Sequence, residues 1–176
     1  MRLAFAGDGM KNIVLIGFMG CGKTTVARAL AKKMNLGVVD MDAQIEKRAG
    51  CSINEIFASW GEQGFREMEH AMLKECMALE NTVISTGGGV IERSENIPIL
   101  KQCGLVVYLD VPFRKITHRL QGDKTRPLFR RDTAKALYDS RQDKYRQAAD
   151  VCIEDKSAKQ AVEQIEELVK DGTCKG

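Results

Sequence analysis

Residues 12–25 read NIVLIGFMGCGKTT, and the fold class turns on them. The apolar run at 12–17 has the length and β-branched content of a buried strand. Val26, Ala27, Leu30 and Met34 recur at helical spacing beyond it, so the chain passes from strand to helix through GFMGCGKTT (17–25). That turn fits G-x-x-x-x-G-K-[ST], a phosphate-binding loop. Gly17, Gly20 and Gly22 permit positive φ and let backbone N–H groups point inward at phosphate oxygens. The helix N-terminus adds partial positive charge. Lys23 is expected to reach the β- and γ-phosphates, and Thr24 to offer its hydroxyl to Mg²⁺. A glycine-rich turn with a chance lysine is the bland alternative; a strand before and a helix after argue against it. Gly20, Cys21, Gly22, Lys23, Thr24 and Thr25 are therefore candidate contacts to a nucleoside triphosphate. The loop alone says no more.

Short β-branched runs then alternate with helical stretches: GVVD (37–40), NTVIST (81–86), LVVYLD (105–110) and DVCIE (150–154). With the first run they make five strands. Continuous apolar strands separated by helices predict a parallel sheet covered on both faces. Gly37 is expected to stop the first helix. SINE (52–55) reads as a capping box, with Gly50 closing the helix before it. A long helical stretch follows over roughly 62–79. The last helix starts near Ser157 and carries Val162, Ile165, Leu168 and Val169 on one face. No repeat, low-complexity tract or linker divides the chain, so a single α/β domain is expected over 10–176. QGDKTRPLFRRD (121–132) lacks apolar periodicity and is basic; a loop of that length inside a domain is commonly functional.

The chain has 176 residues, 44% hydrophobic and 29% charged, an ordinary globular composition. Lys+Arg 27 against Asp+Glu 24 leaves a net charge of +3. That excludes neither class outright but gives no argument for a nucleic-acid or membrane partner; it suits a small anionic ligand gathered by a few arginines. No apolar run approaches the ~20 residues a bilayer needs. Six cysteines form no C-x-x-C pair and, with two histidines, no zinc spacing. They read as free thiols of a cytoplasmic protein, with Cys103 and Cys152 the most buried. MRLAFAGDG (1–9) precedes a second methionine and reads as an N-terminal extension without an assigned role.

VVDMDAQ (38–44) puts Asp40 and Asp42 one residue apart. Residues i and i+2 of an extended segment point to one side, so both are expected to face one cleft. There Mg²⁺ and arginines would offset their repulsion. Two solvated strand-end acids are the alternative. Asp110, ending LVVYLD, reads either as a second magnesium motif or as a residue helping to start the helix at Val111 and Pro112; the second is favoured, because Asp40 is the better metal candidate. Three glycines at 87–89 exceed the needs of a tight turn, since each carries an entropic penalty. They point instead to a ligand lying against the backbone, with Gly88 N–H as a donor. Glu62 and Glu69 lie close enough to Arg66 along a helix to steady it. Trp60 is expected to pack the same segment, and His70 and His118 to be structural or solvent-facing.

Six stretches carry a resemblance: GFMGCGKTT (17–25), DMD (40–42), GFRE (64–67), TGGGV (86–90), DKTRPL (123–128) and RQDKYR (141–146). In this order and at about this spacing, over 10–157, the chain resembles the shikimate kinase family. The resemblance implies a five-stranded parallel sheet flanked by helices, P-loop and nucleoside-monophosphate-kinase-like. A substrate-binding segment would lie at 41–80 and a lid closing over ATP at 121–132. The implied reaction is transfer of the ATP γ-phosphate to the 3-hydroxyl of shikimate, giving shikimate 3-phosphate and ADP on the chorismate pathway to aromatic amino acids. It further implies that Asp40, with Thr24, holds Mg²⁺ and that Asp42 orients the acceptor hydroxyl, as base or by hydrogen bonding alone. Arg66 and Arg141 would bind the carboxylate, and Gly87, Gly88 and Gly89 would line the acceptor. Lys23, Asp42 and Arg126 would form the catalytic set, Arg126 arriving over the transferring phosphoryl group. Arg119 would lie on the adenine, and Lys156 in EDKS (154–157) matches part of the adenine loop. The expected partners are ATP and shikimate for a monomer, with no nucleic acid and no membrane.

Two rivals remain at this level. One is another small-molecule kinase on the same fold, such as a gluconate or nucleoside monophosphate kinase. The other is a non-catalytic ATP-binding module, which a full set of Lys23, Thr24, Asp40, Asp42 and Arg126 argues against.

Overall fold

The computed structural model describes residues 12–120 and 131–171. The 1–9 extension, Cys174, Arg126 and most of the 121–132 segment lie outside the described residues. Five strands form one parallel sheet in the order β2-β3-β1-β4-β5. They are β1 (Asn12–Ile16), β2 (Gly37–Asp40), β3 (Thr82–Ser85), β4 (Leu105–Asp110) and β5 (Val151–Glu154). Every residue of β1 and β3 is buried, whereas edge strand β2 is half exposed. That is why the central strands read as unbroken apolar runs: helices cover both of their faces. All five expected strands are present, to within one residue at most ends.

The helices are α1 (Lys23–Met34), α2 (Met41–Ala49), α3 (Ile53–Cys76), α4 (Asn96–Cys103), α5 (Phe113–Leu120), α6 (Arg131–Ala148) and α7 (Ala158–Lys170). A short 3₁₀ turn spans Val90–Glu92. The SINE capping box forms, with Ser52 and Glu55 each satisfying the other's amide, and a second one joins Ser157 and Gln160 at α7. Gly50 ends α2 at φ 69 as expected. Gly37 does not end α1: Asn35 does, at φ 56, since asparagine also tolerates the left-handed region. Gly37 instead opens β2, where its amide donates to Asn81 O at 2.8 Å. The 62–79 stretch is the second limb of α3, which breaks at Gly61 (φ 70, ψ −178) and ends at Cys76.

Three further expectations need correction. Cys152 is only half-buried, while Cys21 and Cys76 are buried with Cys103. Trp60 packs less than expected: it is 53% exposed, and its β-carbon lies against Gly64, where an added β-carbon would overlap it. Asp110 does not serve the start of α5; its carboxylate accepts from Tyr108 Oη at 3.1 Å and Arg146 at 3.0 Å. His70 meets Asn96 at 2.6 Å and His118 is exposed, as expected. No helix among the described residues is long and apolar enough to cross a membrane.

Candidate functional site

The C-terminal ends of β1, β2 and β3 meet at one rim of the sheet, the side where ligands gather in open α/β folds. The β1 loop turns through Gly17 (φ 151), Gly20 (φ 74) and Gly22 (φ 100). Among the described residues no side chain caps α1 at Gly22, while Asp40, Ser52 and Ser157 cap α2, α3 and α7. Its first amides are therefore available to an anion. Lys23 lies beneath the loop, 8% exposed, donating to Gly17 O at 2.7 Å and Phe18 O at 3.1 Å.

Beside the loop opens a cavity of about 440 Å³ lined by Gly20, Cys21, Gly22, Thr25, Arg119 and Lys156. These six are expected nucleotide contacts, so residues from the loop, α5 and the segment after β5 converge on one space. Arg119 already touches the loop, donating to Cys21 O at 3.1 Å. Val111 and Ile153 add apolar wall, suited to the flat face of a base.

On the other flank of the loop, Thr24 Oγ1 donates to Asp40 Oδ2 at 2.6 Å. Two hard oxygen donors thus stand together at the phosphate side, a set that fits Mg²⁺. The other oxygen of Asp40 caps α2 by accepting from Ala43 N at 3.2 Å. That cap corrects the reason given for Asp42. The strand ends at Asp40, and Asp42 lies on the first turn of α2, so it does not alternate along a strand. Both acids do border the cleft, Asp40 toward Thr24 and Asp42 toward the glycine run.

None of Gly87, Gly88 or Gly89 lies in the left-handed region that demands glycine. They serve close approach instead. A β-carbon on Gly87 would overlap Glu69 Oε1 and stand 2.9 Å from Asp42 Oδ1. One on Gly88 would press to 3.1 Å from Met19 N in the phosphate loop, and one on Gly89 would overlap the Arg66 guanidinium. The three bare backbone positions let the acid pair, the loop and the arginine close around one spot.

Arg66 is held by Glu69 at 2.8 Å and Glu62 at 3.4 Å. Glu69 is wholly buried, and its Oε1 finds no hydrogen-bond partner among the described residues. Burial pushes its carboxyl above the ordinary carboxylate range, with Arg66 pulling the other way and Asp42 adding to the rise. Arg141, on α6, is 4% exposed and interacts electrostatically with the same Glu69. Asp42, Arg66, Arg141 and Gly87–Gly89 thus come together. Two residues that sequence reasoning missed join them. Glu92 binds Arg141 at 2.6 Å, and Tyr145 Oη donates to Gly88 O. Tyr145 stood inside RQDKYR, a signal that could have been read; Glu92 carried none.

A shikimate kinase family model matches residues 19–170. The chain is 44% identical to a shikimate kinase of Synechococcus elongatus over 152 residues, 84% of this chain and 79% of that protein. It is 40% identical to one from Bacillus anthracis over 166 residues, 92% of this chain and the whole of the other. Among solved structures, the shikimate kinase of Acinetobacter baumannii in complex with shikimate superposes with a TM-score of 0.87 at 37% identity, covering 94% of this chain and 96% of that one. The shikimate kinase of Aquifex aeolicus gives 0.79 at 36%, covering 94% and 99%.

Proposed function

The chain belongs to the shikimate kinase family, and from that premise we propose that it transfers the γ-phosphoryl group of ATP to the 3-hydroxyl of shikimate, with the residue roles that follow. One observation carries this reading above its rivals. Two arginines and an aspartate surround a side-chain-free backbone run one loop away from the phosphate-binding turn. A triol carboxylate needs that combination: planar guanidinium forks for the anion and an acidic acceptor for a hydroxyl.

Phosphoryl transfer passes through a loose transition state, so positioning and charge stabilisation outweigh base strength. The loop amides and the α1 N-terminus bind the phosphates. Lys23, held on the Gly17 and Phe18 carbonyls, exchanges those contacts for phosphate oxygens. Thr24 and Asp40 would hold Mg²⁺, which when bound would neutralise charge on the transferred group. Asp42 accepts the acceptor hydroxyl and aims it, and its proton leaves toward that carboxylate. Arg66 and Arg141 bind the carboxylate and fix the ring. Arg119 and Lys156 serve the nucleotide cavity. Arg126 keeps the role that the resemblance implies, stabilising the transferring group.

The test is a panel of acceptors given with ATP and Mg²⁺: shikimate, gluconate and nucleoside monophosphates. Phosphorylation of shikimate alone is expected. Turnover of gluconate without shikimate, or of none, sinks the reading.

A further inference from the structure

Arg141 is nearly enclosed, and a buried guanidinium needs partners that hold it in one geometry. Its Nε–H donates to Glu92 Oε1 at 2.6 Å. The other oxygen of Glu92 accepts from Lys144 at 2.7 Å. Glu92 is therefore a bridge with one oxygen on each cation. It ends the 3₁₀ turn Val90–Glu92, and its own amide donates to Gly89 O at 3.0 Å. The residue that grips the arginine is thus anchored on the glycine run that the acceptor would lie against. Arg141, Lys144 and Tyr145 stand at i, i+3 and i+4, one face of α6, and Tyr145 fastens that face to Gly88 O.

An arginine has five N–H donors in a fixed fork. Glu92 takes the Nε edge. Among the described residues the Nη pair, which matches two carboxylate oxygens, makes a long 3.5 Å contact to Gly88 O and otherwise meets the Tyr145 hydroxyl. The carboxylate of Glu92 therefore lies beside the fork and does not fill it, and Lys144 offsets its charge. Burial would raise the Glu92 carboxyl, but the hydrogen bonds from Lys144 and Arg141 outweigh it and hold the group below the usual range.

We propose that Glu92 is a positioning residue for recognition of the acceptor carboxylate: by tying Arg141 Nε to the glycine turn, it aims the Nη fork before the substrate arrives. A clamp aimed in advance avoids the cost of ordering a long side chain on binding. The inference rests on the reading that Arg141 binds that carboxylate.

Steady-state kinetics of Glu92→Gln tests it. The variant should raise shikimate KM roughly tenfold, about the worth of one hydrogen bond between charged groups. The kcat and the ATP KM should stay within about twofold, a split that general structural damage would not give. Shikimate carboxamide, which carries no anion, should lose less than about twofold in kcat/KM between the two proteins. If Glu92→Gln folds poorly, Glu92→Asp keeps the charge but retracts it by one methylene, and an intermediate shikimate KM is expected. An unchanged or lowered shikimate KM in a folded variant overturns the inference. Arg141→Ala separates the two claims: if it too leaves shikimate KM unchanged, the clamp itself is wrong, whereas a large rise beside an inert Glu92→Gln rejects the positioning role alone.

Discussion

Gly87 and Glu69 share one volume: a β-carbon on the glycine would overlap Glu69 Oε1 and come 2.9 Å from Asp42 Oδ1. Glu69 cannot retreat, since it is fully buried and holds Arg66 at 2.8 Å. Gly87→Ala must therefore displace the acid pair, the arginine, or the glycine run. The expected result is a fall in shikimate kcat/KM of at least about a hundredfold, as for other small misplacements of a reacting pair. ATP binding, made on the other flank of the loop, should change by less than about threefold. Kinetics together with calorimetric titration of a non-hydrolysable ATP analogue checks both halves.

Burial lifts the Glu69 carboxyl above its ordinary value, outweighing Arg66. The folded chain then keeps this proton to a higher pH than the unfolded chain does. Between the two pKa values the native state binds more protons, so the contribution is fully present below the ordinary value and is lost as pH rises through the raised one. Glu69→Gln removes that titration. The melting temperature of Glu69→Gln minus that of the parent should climb as pH rises above the ordinary carboxylate range, and a flat difference would show that Glu69 titrates normally.

Thr24 and Asp40 meet at 2.6 Å, and Asp40 also caps α2. Asparagine keeps an oxygen for the cap, so Asp40→Asn should leave the melting temperature within a few degrees, a helix cap being worth about 1 kcal/mol at most here. The lost charge should raise the Mg²⁺ concentration for half-maximal rate by about tenfold or more. Thr24→Ser, which retains the hydroxyl, should behave like the parent. Magnesium titrations at saturating ATP decide it; equal Mg²⁺ dependence in Asp40→Asn and the parent would remove Asp40 from the metal site.

What could be read from the sequence was local. The five strands, the phosphate loop and the SINE capping box announce themselves within a few residues of chain, because their physics is settled there. Asp42 belongs to the expected cleft for a different reason: cap formation by Asp40 turns the backbone helical one residue earlier than an extended reading assumes. Asn35 takes the cap expected at Gly37, and Gly61 breaks a helix whose apolar spacing runs on beyond it. Glu92 was invisible, since 49 residues separate it from Arg141 and only the packing of α6 against the glycine turn brings them together.

Gly89 leaves room for the flat face of the Arg66 guanidinium, which a β-carbon there would overlap, and the guanidinium carbon lies 5.2 Å from the centre of the Phe65 ring. The site is cut for a plane. Arg66→Lys retains the charge but loses the fork and the stacking. Shikimate KM should rise about thirtyfold, near 2 kcal/mol for a lost bidentate pair, with ATP KM unchanged. If lysine supports a KM within about twofold of the parent, charge alone recruits the carboxylate and the planar fit is irrelevant.

Asp42 stands on the first turn of α2, where the helix N-terminus favours a negative charge, next to the buried Glu69, whose carboxyl it helps to raise. Asp42→Asn preserves shape and removes that charge. If the carboxylate orients the attacking hydroxyl and takes its proton, kcat should fall by roughly 10²–10⁴, the usual range for such a group. The dissociation constant for ATP should stay within about twofold, because the nucleotide cavity lies on the far side of the loop. A second consequence is independent of turnover. Without its anionic neighbour, Glu69 should titrate lower than in the parent, which shows in the pH dependence of melting as a window moved toward acid. A kcat within about twofold of the parent would mean that another group orients the hydroxyl, while a lowered Glu69 window in the same variant would still prove that the two acids sense each other across the glycine run.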